Sequence, residues 1–193
     1  MGFNYELLKS FSDHIGIDLE IYTENHLDRA FEKLNSGEVD LLAMGLTINS
    51  TRKNEIQFSE PIASTRQVLV QRKPPSWRAM TQDVVDSKVI RDQLDLGNKT
   101  VYVQKGSSHV ERLIALSSEI GEEINIIEVP YEAEQLIENV AKKEIDYAVC
   151  DENVGIVNAT YYSDIDINTP LSFQQNIAWA VRKEYSSQLL EVY

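Results

Sequence analysis

The chain of 193 residues carries 18 Lys and Arg against 31 Asp and Glu, a formal charge of −13, with 42% hydrophobic residues. So large an acidic excess excludes a nucleic-acid backbone or an anionic membrane surface as the partner, because both are held by clustered cations. The longest apolar run, residues 41–46, is far below the roughly 20 residues of a membrane-spanning helix, and a single cysteine, Cys150, excludes an internal disulfide.

Residues 1–6 show no basic segment followed by an apolar one, so they do not read as a signal peptide. They read as the interior of a domain entered at a helix. Tyr5, Leu7, Leu8, Phe11 and Ile15 fall on one helical stripe, which Gly16 stops. Ile17–Tyr22 alternates apolar and polar residues and predicts a half-buried strand. Leu27, Ala30, Phe31 and Leu34 make a second amphipathic helix ending at Ser36-Gly37, and Asp40–Gly45 reads as a buried strand. Arg66–Gln71 is a strand running into Pro74-Pro75, the clearest boundary signal in the chain. Beyond it the pattern predicts strands at Lys99–Gln104, Ile124–Val129 and Ile145–Cys150, with helices at Ser108–Ile120 and Ala133–Lys143 between them. Asn168-Thr169-Pro170 marks a second boundary, Asn176–Val181 a returning strand, and Ser186–Tyr193 a helix.

An internal repeat organises these elements. Residues 27–43 lie over 133–149 at an offset of 106, matching Phe31 with Ile137, Leu34 with Val140, Val39 with Ile145 and Asp40 with Asp146. Any two amphipathic helix–strand units share some of this likeness. Two similar lobes account for all of it: an α/β chain with two open, mostly parallel sheets, one lobe from 1–72 plus 174–193 and the other from 73–173. Two crossings between lobes make a hinge and a cleft. Ligands of open parallel sheets sit at the carboxyl ends of the strands, here Gly45-Leu46-Thr47 and Cys150-Asp151-Glu152.

Downstream of the first of these ends runs Gly45-Leu46-Thr47-Ile48-Asn49-Ser50-Thr51-Arg52, closing with Phe58-Ser59-Glu60-Pro61. This stretch resembles the signature of the amino-acid-type extracellular solute-binding proteins, family 3. The resemblance implies a two-lobed periplasmic binding protein type II fold and a periplasmic or cell-envelope location. It also implies that Thr47 and Arg52 hold the α-carboxylate of an amino acid or small peptide-like ligand. A guanidinium offers a planar pair of donors that suits a carboxylate; Arg52 alternatively reads as a surface cation paired with Glu55. The turn Gln104-Lys105-Gly106-Ser107-Ser108 opens a helix, and the resemblance assigns Ser107 and Ser108 to the same carboxylate, through backbone and hydroxyl. Capping of the helix is the plainer role for these serines. Asp151 falls where the family holds the ligand's α-ammonium. Glu152 fits equally the first turn of the next helix, and Trp179 reads as a core aromatic rather than a ligand-stacking one. Residues 119–152 carry eleven acids and two bases and read as a solvated face.

Gly2–Leu8, Ile177–Lys183 and Gln188–Glu191 narrow the resemblance to the solute-binding half of lytic murein transglycosylase F proteins, whose catalytic domain would follow Tyr193. The family's first strand, which would precede Phe3, is missing from the sequence, and that implies reduced stability or strand borrowing. His14, His26 and His109 lack metal-ligand spacing, so no metal or other cofactor is implied. No Ser-His-Asp or Cys-His order and no phosphate-binding glycine loop appears. The chain is thus expected to be a binding module and not itself an enzyme, with a downstream catalytic domain or a membrane permease as further partner. A stand-alone amino-acid transport receptor is the alternative reading, and the effector domain of a transcription regulator a third. Cleavage of glycan by this chain would need two facing carboxylates, and the first lobe offers Arg52 instead.

Overall fold

A computed structural model describes residues 2–183, so the helix expected over residues 186–193 lies outside the described residues. In chain order the elements are α1 (Phe3–Ile15), α2 (Leu27–Ser36), β1 (Leu41–Thr47), α3 (Ser50–Glu55), β2 (Ile56–Phe58), β3 (Ala63–Thr65), β4 (Gln67–Arg72), α4 (Gln82–Asp86), β5 (Thr100–Gln104), α5 (His109–Ile120), β6 (Asn125–Val129), α6 (Ala133–Ala141), β7 (Tyr147–Asp151), α7 (Glu152–Ala159), β8 (Ile165–Pro170) and β9 (Gln175–Arg182). The chain divides into two units. Unit 1 runs to Ser64 and resumes at Gln175, and unit 2 is Thr65–Gln174. The chain therefore passes between units twice, and β4, ahead of the Pro74-Pro75 pair, belongs with unit 2.

In unit 1, β9 is flanked by β1 and β2, both antiparallel to it, with Leu41 opposite Val181 and Phe58 opposite Ala180. Because successive residues of a strand point to opposite faces, Trp179 and Ala180 serve two cores. Leu8 and Phe11 of α1 pack on Trp179, while Ala30 and Leu34 of α2 pack on Leu42, Leu46, Ile56 and Ala180. Both helices end as their glycines predict. Gly16 and Gly37 take left-handed φ values of 68° and 83° and donate back into the last turn.

Unit 2 has the strand order β6-β5-β7-β4-β8. β5 is parallel to β6 and β7, whereas β4 is antiparallel to β7 and β8. One face carries Leu69, Val101, Val103, Leu113, Leu116 and Leu171. The other carries Val68, Val70, Leu136, Ile137, Val140 and Cys150. On β8, opposite Gln71 of β4, Asp166 is almost wholly buried and accepts from Arg91 Nη1 and Nη2 at 2.5 and 2.8 Å, while Asp86 accepts from the same guanidinium at 2.6 Å. These carboxylates hold the Arg91 pKa above its ordinary value, Asp166 contributing most.

The repeat at offset 106 is structural. Arg182, at the end of β9, binds Asp40 and the carbonyls of Val39 and Leu34. Arg72, at the end of β4, binds Asp146 and the carbonyls of Ile145 and Val140, the residues 106 further on in each case. In each unit one arginine from an antiparallel strand clamps the turn between a helix and the next strand. Asp40 and Asp146 therefore anchor structure.

Three expectations are corrected. The sheets are mixed rather than mostly parallel, because β9 and β4 run against their neighbours. Ile17–Tyr22 forms no strand, and Ile17, Ile21 and Tyr22 are exposed. Alternation marks a segment able to lie half-buried, but a ladder needs a partner, and in the sheet order β1 is left at an edge. Asn168-Thr169-Pro170 is no boundary: it closes β8, with Thr169 buried and opposite Leu69, and Pro170 opposite Val68. A proline is admissible there as the last residue of an edge strand.

Candidate functional site

Within unit 1 the structure brings Thr47 and Arg52 together. Thr47, the last residue of β1, is buried. Asn49 caps α3, its Oδ1 accepting the Arg52 backbone N–H at 2.8 Å. That cap sets the start of the helix so that Arg52 turns back toward the strand it follows. Its Nη1 donates to the Thr47 carbonyl at 3.2 Å, and its guanidinium lies 5.4 Å from the centre of the Phe31 ring. A cation over an aromatic face is held in orientation without losing its charge. The result is a fixed cation at the carboxyl end of β1, beside a buried threonine.

Within unit 2 the second set converges where β5 and β7 end. Gly106 takes φ 75°, a left-handed turn that glycine enters without penalty, and Ser107 closes the turn by donating its backbone N–H to Gln104 O at 3.2 Å. The Ser107 backbone N–H is thus engaged in the turn, and the hydroxyl is the group it has to offer. Its Oγ is buried with no hydrogen-bond partner. Ser108 occupies the N-cap position of α5, yet its hydroxyl makes no cap bond; it accepts from Gln67 Nε2 at 3.3 Å. Capping does not account for either hydroxyl.

Asp151 ends β7 directly opposite Gln67 of β4. It is the N-cap residue of α7, where aspartate ordinarily accepts a helix N–H, but its side chain makes no such bond. Instead Oδ1 lies 3.4 Å from Nε2 of His109. Its neighbour Glu152 is engaged: Arg66 donates to it through Nε and Nη2 at 2.9 and 2.6 Å. Glu152 is thus the first residue of a helix and half of an ion pair, not a ligand group.

Gln67 and His109 escape sequence reasoning. Each lies in a segment read only for its periodicity, and nothing local says that Gln67 reaches Ser108 or that His109 reaches Asp151. The one available signal was that a polar residue recurs at both ends of apolar strands. Trp179 is buried, its Nε1 donating to Asn4 Oδ1 at 3.1 Å, which makes it core. Cys150, beside Asp151, is fully buried, and burial followed by the Asp151 charge pushes its thiol pKa well above the ordinary range. It is no nucleophile. Among the described residues no group of three or more His, Cys, Asp or Glu is placed to hold a metal ion, and no helix is long and apolar enough to cross a membrane.

A family profile for bacterial extracellular solute-binding proteins, family 3, matches residues 1–185. The chain is 35% identical over 183 residues to a membrane-bound lytic murein transglycosylase F of Desulfosudis oleivorans, covering 95% of this chain. It is 31% identical over 192 residues to the protein of that name in Pseudoalteromonas translucida, covering 97%. It spans 37% of the length of each of these relatives. Among solved structures, the arginine-bound, truncated ArgBP of T. maritima superimposes with a TM-score of 0.80 at 26% identity, covering 100% of this chain and 82% of that one. An ancestral arginine-binding protein bound to arginine gives 0.81 at 24% identity, covering 100% and 78%, a likeness of fold. The fold is that of the type II periplasmic binding proteins.

Proposed function

This chain belongs to the bacterial extracellular solute-binding proteins, family 3, and we propose from that premise that it binds an α-amino acid or a small peptide-like ligand through Thr47, Arg52, Ser107, Ser108 and Asp151. The observation that carries the reading is the Arg52 guanidinium, aimed back at the end of β1 by the Asn49 cap and the Phe31 ring and bonded to Thr47 at 3.2 Å. An arginine held in this way meets a carboxylate without first being ordered, which lessens the entropy lost on binding. In unit 2, two serine hydroxyls that cap no helix and a carboxylate that caps none supply donors for an anion and an acceptor for a cation. The cation of unit 1 suits an α-carboxylate, and the carboxylate of unit 2 suits an α-ammonium.

We further infer that this domain acts outside the cytoplasm as the sensing half of a lytic transglycosylase F-like cell-wall protein, reporting a free amino acid or a peptidoglycan-derived peptide to the catalytic half of that protein. The relatives' names favour this over a transport receptor that stands alone.

A thermal-shift screen with the twenty L-α-amino acids and short peptidoglycan peptides tests the function. Ligand at about 100 times its Kd stabilises by about 2.7 kcal/mol, a rise of several degrees. The rise is expected in the wild type and lost in Arg52→Ala; a ligand that stabilises both proteins equally refutes the assignment of Arg52.

A further inference from the structure

We propose that His109 is a positioning residue for Asp151, donating through Nε2 and holding that carboxylate, its charge uncompensated, to receive a ligand ammonium. The inference rests on the function proposed above and adds to it the group that gives unit 2 its preference for ammonium-bearing ligands.

His109 is only 6% exposed, and its ring contacts Asp151 at 3.4 Å through Nε2. Its Nδ1 is buried with no hydrogen-bond partner. Those two facts choose the tautomer. With the proton on Nδ1, a donor would be buried unsatisfied, and the Nε2 lone pair would face a carboxylate oxygen, acceptor against acceptor. With the proton on Nε2, the carboxylate is satisfied and Nδ1 is left as a buried acceptor, the less costly orphan. The geometry therefore assigns the proton to Nε2.

The consequence for Asp151 follows from comparison with its neighbours. Glu152 is paired with Arg66, Asp146 with Arg72, and Asp166 with Arg91. Among the described residues Asp151 is paired with no lysine or arginine; the side chain that contacts it is His109. A cation beside it would cancel the charge that a ligand ammonium needs. A hydrogen bond from this tautomer fixes the carboxylate's direction and leaves its charge in place. It also replaces the helix cap that Asp151 does not make, which would otherwise turn the carboxylate into α7.

The test has two arms, using wild type, His109→Gln, His109→Leu and Asp151→Ala. The first needs no ligand. In a 15N-edited proton spectrum of the histidine side chains, a protected Nε2–H signal of His109 is expected in the wild type and lost in Asp151→Ala; its persistence there overturns the pairing. The second arm measures Kd by calorimetry for whichever of the twenty L-α-amino acids stabilises the wild type most, and for the α-hydroxy acid with the same side chain. Glutamine's Nε2 can replace that of histidine, so His109→Gln should stay within about threefold of wild type. His109→Leu should lose about tenfold or more for the amino acid, the usual consequence of removing a partner from a buried charged group, and little for the hydroxy acid. Equal losses for both ligands would make His109 merely structural and overturn the proposal. If neither the twenty amino acids nor the short peptidoglycan peptides stabilise the wild type, the functional reading fails and the use proposed for the pair fails with it, while the first arm still decides whether the pair exists.

Discussion

Replacing Asp166 with asparagine keeps the shape of the side chain and removes a charge buried on β8 beside β4. Three residues lose a charged partner. Arg91 donates to this carboxylate twice, at 2.5 and 2.8 Å, Asn168 donates through its side chain at 3.1 Å, and Gln71 at 3.4 Å. Breaking a buried ion pair from one side costs about 3–5 kcal/mol because the partner is left uncompensated. Here Asp86 still accepts from the same guanidinium at 2.6 Å, so the expected loss is about 2–4 kcal/mol. With a urea m-value of about 2 kcal/mol/M the unfolding midpoint falls by about 1–2 M. Trp77 lies in unit 2 and Trp179 in unit 1, so fluorescence in a Trp179→Phe background follows unit 2 alone. Asp86 is the control, since it binds the same arginine from the surface and Asp86→Asn should move the midpoint far less. If the two substitutions prove equal, burial is not what gives Asp166 its weight, and the account of this network is wrong.

Two further outcomes are expected. Gly106→Ala and Gly121→Ala both force an L-residue into left-handed backbone, at φ 75° and 72°, and each should cost about 1 kcal/mol in thermal melts. Only the first should also weaken ligand binding, because only Gly106 shapes the turn that carries Ser107 and Ser108; equal effects on affinity would detach that turn from the site. In acid, Asp164 should show itself through linkage. The Trp77 indole N–H, together with the Arg78 and Lys73 charges, holds its carboxyl below the usual range against the opposing effect of burial. A carboxyl lowered by folding stabilises above its unfolded value near 3.9, and that contribution disappears as pH falls through the folded value. The melting-temperature gap between wild type and Asp164→Asn should therefore be present at pH 7 and close as pH falls below about 4. A gap that widens in acid would reverse the sign.

What the sequence discloses is what lies close along it. Helices α1, α2, α5 and α6 were legible because a stripe such as Leu27, Ala30, Phe31 and Leu34 needs no distant partner to be recognised. The same holds for Thr47 and Arg52, which one turn of α3 joins. Ile17–Tyr22 was misread because alternation records a capacity to pair and not the presence of a neighbour. Pro170 was misread because proline breaks a central strand but is admissible as the closing residue of β8. The Arg72 and Arg182 clamps went unseen although their acidic mates had been matched at offset 106, since each arginine reaches its turn from a strand far away in the chain. Gln67 and His109 share that blindness: their meaning comes from a register, Gln67 opposite Asp151, that no local pattern encodes.

Cys150 supplies the protein with a clock. The chain contains one thiol, it lies in the core of unit 2, and Gly155 packs so closely that a methyl group there would come within 3.2 Å of its sulfur. Its thiolate is suppressed by the surroundings that bury it. A disulfide reagent in solution thus waits for the sheet to part before it can react, and the rate of modification counts those openings. The counter sits one residue from Asp151. Whatever settles against that carboxylate should slow it, so occupancy can be timed with no label added and no assumption about what the occupant is.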